Sequence, residues 1–172
     1  MFKKLLIGLV VLVVILVAVG FFLPSSYEVK RSVVIDAKPS AVHKYVGNLE
    51  KWGEWEPWTE GDPTIETTLG KKTSGVGASQ TWTGKEGDGK LTFTASDSDK
   101  GIEYDMEFDG GKWKSKGAMR YEAVEKKTTV TWEMTGTVEL PVIGGYMALM
   151  MDGWTGPYFE KGLAKLKAKV ES

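Results

Sequence analysis

Few residues in this 172-residue chain have the types and spacing for chemistry. His43 is the only histidine. No serine or cysteine follows it at a spacing that spells out a nucleophile–base pair, so it reads as a solvated or capping side chain on a short surface helix. Glu54 and Glu56 stand two apart within Lys51-Trp52-Gly53-Glu54-Trp55-Glu56-Pro57-Trp58. Paired carboxyls do acid–base work only where burial or like charge raises one pKa, and two apart in a loop they read as solvated charges. Asp97, Asp99 and Gly101 begin like a calcium loop. Counted from Asp97, however, the sixth and twelfth positions are Ile102 and Phe108 instead of Gly and Glu, so the run reads as a hairpin turn. Tyr104, Tyr121 and Glu133 are the remaining groups that a proton-transfer enzyme could use.

Trp52, Trp55 and Trp58 recur every third residue in the same stretch. Exposed tryptophans mark binding or membrane-interface positions, and buried ones fill cores. Both readings stand: plugs for the open end of a sheet, or side chains that touch or gate a ligand. Composition removes other classes. A net charge of -1, from 22 basic and 23 acidic residues, offers no basic face, so no nucleic-acid partner is expected. With no cysteine and one histidine, neither a disulfide framework nor a transition-metal site is expected. No cofactor is expected either, and a phosphate-cradling loop would need Gly-Lys-Ser/Thr before a helix. Hydrophobic residues at 42% and aromatics at 11% suit one globular domain with a short appendage.

That appendage is Leu5 to Leu23, a run without charge. At about 1.5 Å per residue it rises roughly 28 Å, close to the ~30 Å hydrocarbon core of a bilayer. Backbone in lipid must satisfy its own hydrogen bonds, so a transmembrane helix is predicted. Ala18-Val19-Gly20 resembles a signal-peptidase site, but Phe21, Phe22 and Leu23 carry the apolar run past it, which favours an uncleaved anchor. Lys3 and Lys4 favour a cytoplasmic N-terminus and a domain that is periplasmic or extracellular, although Lys30, Arg31 and Lys38 flank the other side. The expected organisation is an anchor over residues 1–24 and a folded domain over 25–172. Pro24-Ser25-Ser26 leaves almost no linker, so the domain works close to the membrane surface.

The elements that must position any site are mostly strands. Ile102 to Asp109 alternates apolar and acidic residues, and Thr128 to Val138 alternates likewise. Leu91-Phe93-Ala95 and Gly117-Met119-Tyr121-Ala123 are further stripes, and Tyr27–Ile35 and Ser79–Thr83 are strand-like. Turns are marked at Gly87-Asp88-Gly89, Asp97 to Gly101 and Asp109-Gly110-Gly111. A short helix is predicted over Ala41–Val46. A long one is predicted near the end, where Met147, Met150, Met151, Trp154 and Tyr158 follow helical spacing and Pro157 is expected to kink or split it.

In this order the chain resembles the START-like (SRPBCC) superfamily, in its polyketide cyclase/dehydrase-related branch. The likeness rests on Val33-Val34-Ile35-Asp36-Ala37-Lys38-Pro39-Ser40-Ala41-Val42, on the tryptophan-rich stretch, and on Met150-Met151-Asp152-Gly153 with Phe159 to Lys167. It runs from about Tyr27 to the end. The resemblance implies an α+β helix-grip fold, a seven-stranded curved antiparallel sheet around a long C-terminal helix, with an apolar cavity between them. Its members bind lipids and other hydrophobic molecules, and a minority catalyse reactions on them. The expected cavity wall is Trp55, Trp58, Trp82, Phe93, Tyr104, Met106, Phe108, Met119, Tyr121, Trp132, Met134, Met147, Met150, Met151, Trp154 and Tyr158. The leading expectation is a membrane-anchored binding or transfer module for a hydrophobic small molecule or lipid, without catalytic residues. A cyclase- or dehydratase-like enzyme and a non-catalytic envelope interaction or stress-response protein are the alternatives, and any protein partner is unspecified.

Overall fold

The structure, a computed structural model, describes residues 2–85 and 87–172; Met1, the first residue of the expected anchor, and Glu86 lie outside the described residues. The chain opens with α1 (Phe2–Phe22), a 21-residue helix long and apolar enough to cross a membrane. Next come β1 (Ser26–Ile35), α2 (Pro39–Val46), a 3-10 turn over Leu49–Glu54 and α3 (Trp58–Gly61). Six strands follow: β2 (Glu66–Leu69), β3 (Ser79–Thr83), β4 (Gly89–Asp97), β5 (Gly101–Phe108), β6 (Trp113–Val124) and β7 (Lys127–Thr137). The chain ends in α4 (Ile143–Val170). The strands form one antiparallel sheet in the order β1-β7-β6-β5-β4-β3-β2. This is the expected curved seven-stranded helix-grip fold of the α+β class.

Period-two alternation explains the strands. In β5, Ile102 and Tyr104 are buried, and the acidic residues between them face out. On the outer face Glu103, Asp105 and Glu107 meet Arg120, Lys116 and Lys114 of β6 at 2.9, 3.1 and 3.9 Å. Such exposed pairs add little stability, but a one-residue slip would turn every apolar side chain outward, so the pattern fixes register. At Gly101 (φ 106°) a Cβ would collide with the carbonyl oxygen of Met119, so the β4–β5 turn requires glycine.

α4 lies along β1 and runs in the same direction. Gly144 sits beside Ser25 and Gly156 against Arg31, while Lys167 Nζ donates to the Val34 carbonyl (2.5 Å) and the Asp36 amide donates to Glu171 (2.7 Å). The approach is close because the buried stripe of its first half is Gly144, Gly145, Ala148 and Gly156, and larger Phe159, Leu163 and Leu166 follow. Added side chains at Gly145 or Gly156 would run into Leu23 or the Arg31 guanidinium. Two expectations are corrected here. α4 is one helix and is not split at Pro157, which is exposed, so the carbonyl that loses its donor can turn to water. Met150 and Trp154 do not face the sheet; they are 46% and 51% exposed, because the helix buries its small residues instead of its methionine stripe.

The start of α4 is strained. Val142 has φ 66° and ψ -50°, a costly conformation for a β-branched residue, in a turn closed by Ile143 N–H to the Pro141 carbonyl (2.7 Å). Val142 packs against Gly20 of α1, where a Cβ would collide with it.

Candidate ligand-binding site

The site face can be built row by row, since paired residues in antiparallel strands point to the same side. Tyr27, Gly136, Ser115, Met106, Leu91 and Gln80 form one row toward the end of the sheet where α1 joins β1. Val29, Met134, Gly117, Tyr104 and Phe93 form the next, followed by Arg31, Trp132, Met119 and Ile102, then Val33, Val130 and Tyr121. Phe108 and Trp82 share this face at the turn end. All nine strand residues expected on the concave side therefore share it.

The centre of that face is packed with rings. Trp132 stacks on Phe159 of α4 (centroids 4.2 Å, planes 3° apart) and meets Trp55 and Trp58 edge-on at 5.5 and 6.2 Å. Its indole N–H donates to the Tyr104 hydroxyl (2.7 Å). Trp52 touches Trp55, Phe93 and Tyr104 at 5.3, 5.8 and 5.9 Å and donates to the Val46 carbonyl. Trp52 and Trp55 are therefore core residues. Half-buried Trp58 stacks on Tyr158 (5.0 Å) and closes one side. The fully buried Trp55 N–H finds no acceptor among the described residues.

The end next to α1 differs. Tyr27, Gln80, Trp82, Met106 and Phe108 are only half-buried, and Trp82 meets Phe108 edge-on at 5.6 Å. At the same end α4 brings Met147 and Met151, also half-buried. Two open surface hollows lie elsewhere: about 500 Å³ on α1 between Lys4 and Leu12, and about 420 Å³ along the β1–α4 seam from Arg31 to Lys167. Neither is lined by these aromatic residues.

The polar residues fall out differently from the sequence reading. His43 is half-buried instead of solvated: its Nε2 lies 3.2 Å from Ser96 Oγ and its Nδ1 3.4 Å from the Tyr121 hydroxyl. Ser96 lies 53 residues away in sequence, which is why no pairing was visible. Burial lowers the His43 pKa, partly opposed by Asp97 and Asp99, and burial raises the hydroxyl pKa values of Tyr104 and Tyr121. Glu56 is buried instead of solvated, and its carboxylate accepts from the Trp58 amide (2.6 Å) and Thr59 Oγ1 (2.9 Å), holding the start of α3. Glu54, in contrast, is an exposed partner of Lys51 (2.9 Å) and Lys169 (3.6 Å). Glu133 sits on the outer face with Lys30 and Arg120, away from any concave-face ligand.

Sequence reading missed Arg31. It takes an inward position between Val29 and Val33, where it donates to Asp152 (2.8 and 3.0 Å) and Glu160 (2.7 Å) of α4 beneath Gly156. These two carboxylates satisfy its fork and tie the helix to the edge strand. The signal was there, because Arg31 breaks the apolar parity of Tyr27, Val29, Val33 and Ile35.

Known proteins share this architecture. The structure is similar to that of the KanY protein (TM-score 0.65, 15% identity, covering 86% of this chain and 99% of that one). It is also similar to protein CV1439 from Chromobacterium violaceum (0.61, 12%, 84% and 97%) and to a protein from Thermus thermophilus (0.59, 16%, 83% and 96%). At these identities the likeness shows the fold alone. No curated protein matches the sequence. Residues 26–171 match the family described as polyketide cyclase / dehydrase and lipid transport. The chain belongs to that polyketide cyclase/dehydrase and lipid transport family, of SRPBCC type.

Proposed function

We propose that this protein is a membrane-anchored module that binds or transfers a hydrophobic small molecule, with lipid the class a bilayer supplies. The division is that of the sequence, an anchor over residues 1–24 and a ligand-binding domain over 25–172. One observation carries the reading: the apolar concave face is sealed at its centre but left half-buried at Trp82, Met106 and Phe108, at the end beside α1. Aromatic and methionine side chains with few polar groups are the usual make-up of a small-molecule site, and methionine adapts to varied shapes. Binding fits better than catalysis, because Glu133 is on the other face and Tyr104 lies buried in the packed centre with its hydroxyl held by the Trp132 N–H.

The two lysines before the span set the proposed orientation, with the N-terminus in the cytoplasm and the domain outside it. Native mass spectrometry of the full chain, purified without added ligand, tests the binding. Expected is a co-purified mass in the lipid range, or saturable uptake of a fluorescent fatty acid that Phe108→Asp abolishes. Neither mass nor uptake, in a chain whose domain is folded by circular dichroism, rules the function out.

A further inference from the structure

The first three turns of α4 are apolar on more sides than folding requires. Their buried stripe is Gly144, Gly145 and Ala148, yet Ile143, Met150 and Trp154 recur at helical spacing on the side away from it. Ile143, Leu149, Met150 and Trp154 are 57%, 63%, 46% and 51% exposed, and Leu140 before them is 37% exposed. From Leu140 to Phe159 the only charged side chain is Asp152, and Arg31 holds it from the β1 side. A soluble helix would carry charge on its outer stripe. Contiguous exposed apolar surface of this kind marks a contact that water does not make.

What covers it is indicated by the neighbouring element. The start of α4 is seated on the last turns of α1. Val142 packs on Gly20, Gly145 lies against Leu23, and the Tyr146 hydroxyl donates to the Leu16 carbonyl (2.8 Å). Leu16 lies six residues before the end of α1, so Tyr146 reaches roughly 9 Å down the span, at 1.5 Å per residue. The exposed rings of Phe21 and Phe22 lie at the same level. The apolar face of α4 thus continues the lipid-facing surface of α1. Amphipathic helices that lie in an interface bury their apolar face about 5–10 Å into the headgroup–acyl boundary, a depth that matches.

We infer that Leu140 to Trp154 is a second membrane contact: the first turns of α4 rest in the same leaflet that α1 leaves, and phospholipid covers their outer face. This rests on α1 spanning the bilayer. Its consequence is orientation. One helix leaves a domain free to tilt, whereas two adjoining contacts hold the half-buried end of the concave face towards lipid, so that a ligand moves between bilayer and protein along the α4 edge.

The chain has no cysteine, so single-site spin labelling of the full protein in phospholipid nanodiscs is direct. Labels would go on Ile143→Cys and Met150→Cys, with Leu12→Cys in the span and Lys116→Cys on the outer face of the sheet as references. Unchanged circular dichroism and melting would confirm that each exposed-site variant folds. The readout is collision with oxygen, which concentrates in lipid, against collision with a water-soluble nickel chelate. Positions 143 and 150 are expected to follow position 12, with oxygen favoured over nickel, while 116 shows the reverse. If 143 and 150 follow 116, the helix lies in water and the inference is overturned while the anchor stands. If both reagents are excluded there, or labels on two molecules couple magnetically, protein covers the face and the inference is equally overturned. Should position 12 itself follow 116, the spanning helix fails and takes the second contact with it.

Discussion

Trp132 and Phe108 lie on the same face of one sheet, yet their surroundings have little in common. Trp132 is stacked by Phe159, edged by Trp55 and Trp58 and hydrogen-bonded to Tyr104, leaving it 1% exposed. Phe108 has Trp82 at its edge and remains half-buried. The difference comes from what each half of α4 brings. Its second half carries Phe159, Leu163 and Leu166 into the core, and α3 adds Trp58; its first half brings glycines to β1 and nothing comparable over β3 to β5. One end of the grip is thus built for stability. The end beside α1 is left with apolar surface that a ligand can cover.

The largest expected effect lies at the sealed end. Trp132→Ala removes a ring from Phe159, Trp55 and Trp58 and leaves the Tyr104 hydroxyl without its donor, so a loss of about 3–5 kcal/mol is expected in chemical denaturation. A loss below 1 kcal/mol would mean that the centre of the face is not close-packed. Gly162→Leu is next. The new Cβ would start 2.8 Å from the Trp132 ring and 3.1 Å from Pro57, and overpacking should cost about 1–3 kcal/mol, read as a lowered melting temperature. The other end should behave in the opposite way. Phe108→Ala is expected to cost only about 1 kcal/mol, since the ring is half-exposed, while fatty-acid uptake falls far more than for a destabilising change at the sealed end.

The smallest effect is a pH dependence at His43. Burial holds its folded pKa below the ordinary 6.5, so below that pH the unfolded chain binds a proton that the folded chain resists. Stability should therefore decline as pH falls through about 6.5, and His43→Gln should flatten that part of the curve in urea melts taken between pH 8 and 5. Identical curves for the two proteins would exclude His43 as the source.

The sheet was legible because alternation is local: Ile102 to Phe108 states its own inward face, and the turn glycines mark its ends. The apolar side of each strand could be read residue by residue, and the register confirmed it. Helix faces were harder to read. In α4 two stripes compete, one of methionine and tryptophan and one of glycine and alanine, and hydrophobicity points to the first. Close approach to β1 selects the second, and that depends on Arg31 and Leu23, which lie far away in sequence. Long-range polar pairing was equally hidden, since nothing near His43 announces Ser96, 53 residues away, whereas the Glu56 bond to the Trp58 amide is a local contact two residues on. Arg31 alone broke a visible pattern.

The most direct measurement is photo-cross-linking of the full chain in nanodiscs with a diazirine-bearing fatty acid, mapped by peptide mass spectrometry. The account predicts adducts on the inward residues of β3 and β5, at Trp82, Met106 and Phe108, competed away by unlabelled fatty acid. Adducts confined to α1 and the outer face of α4, with none on those strands, would contradict it.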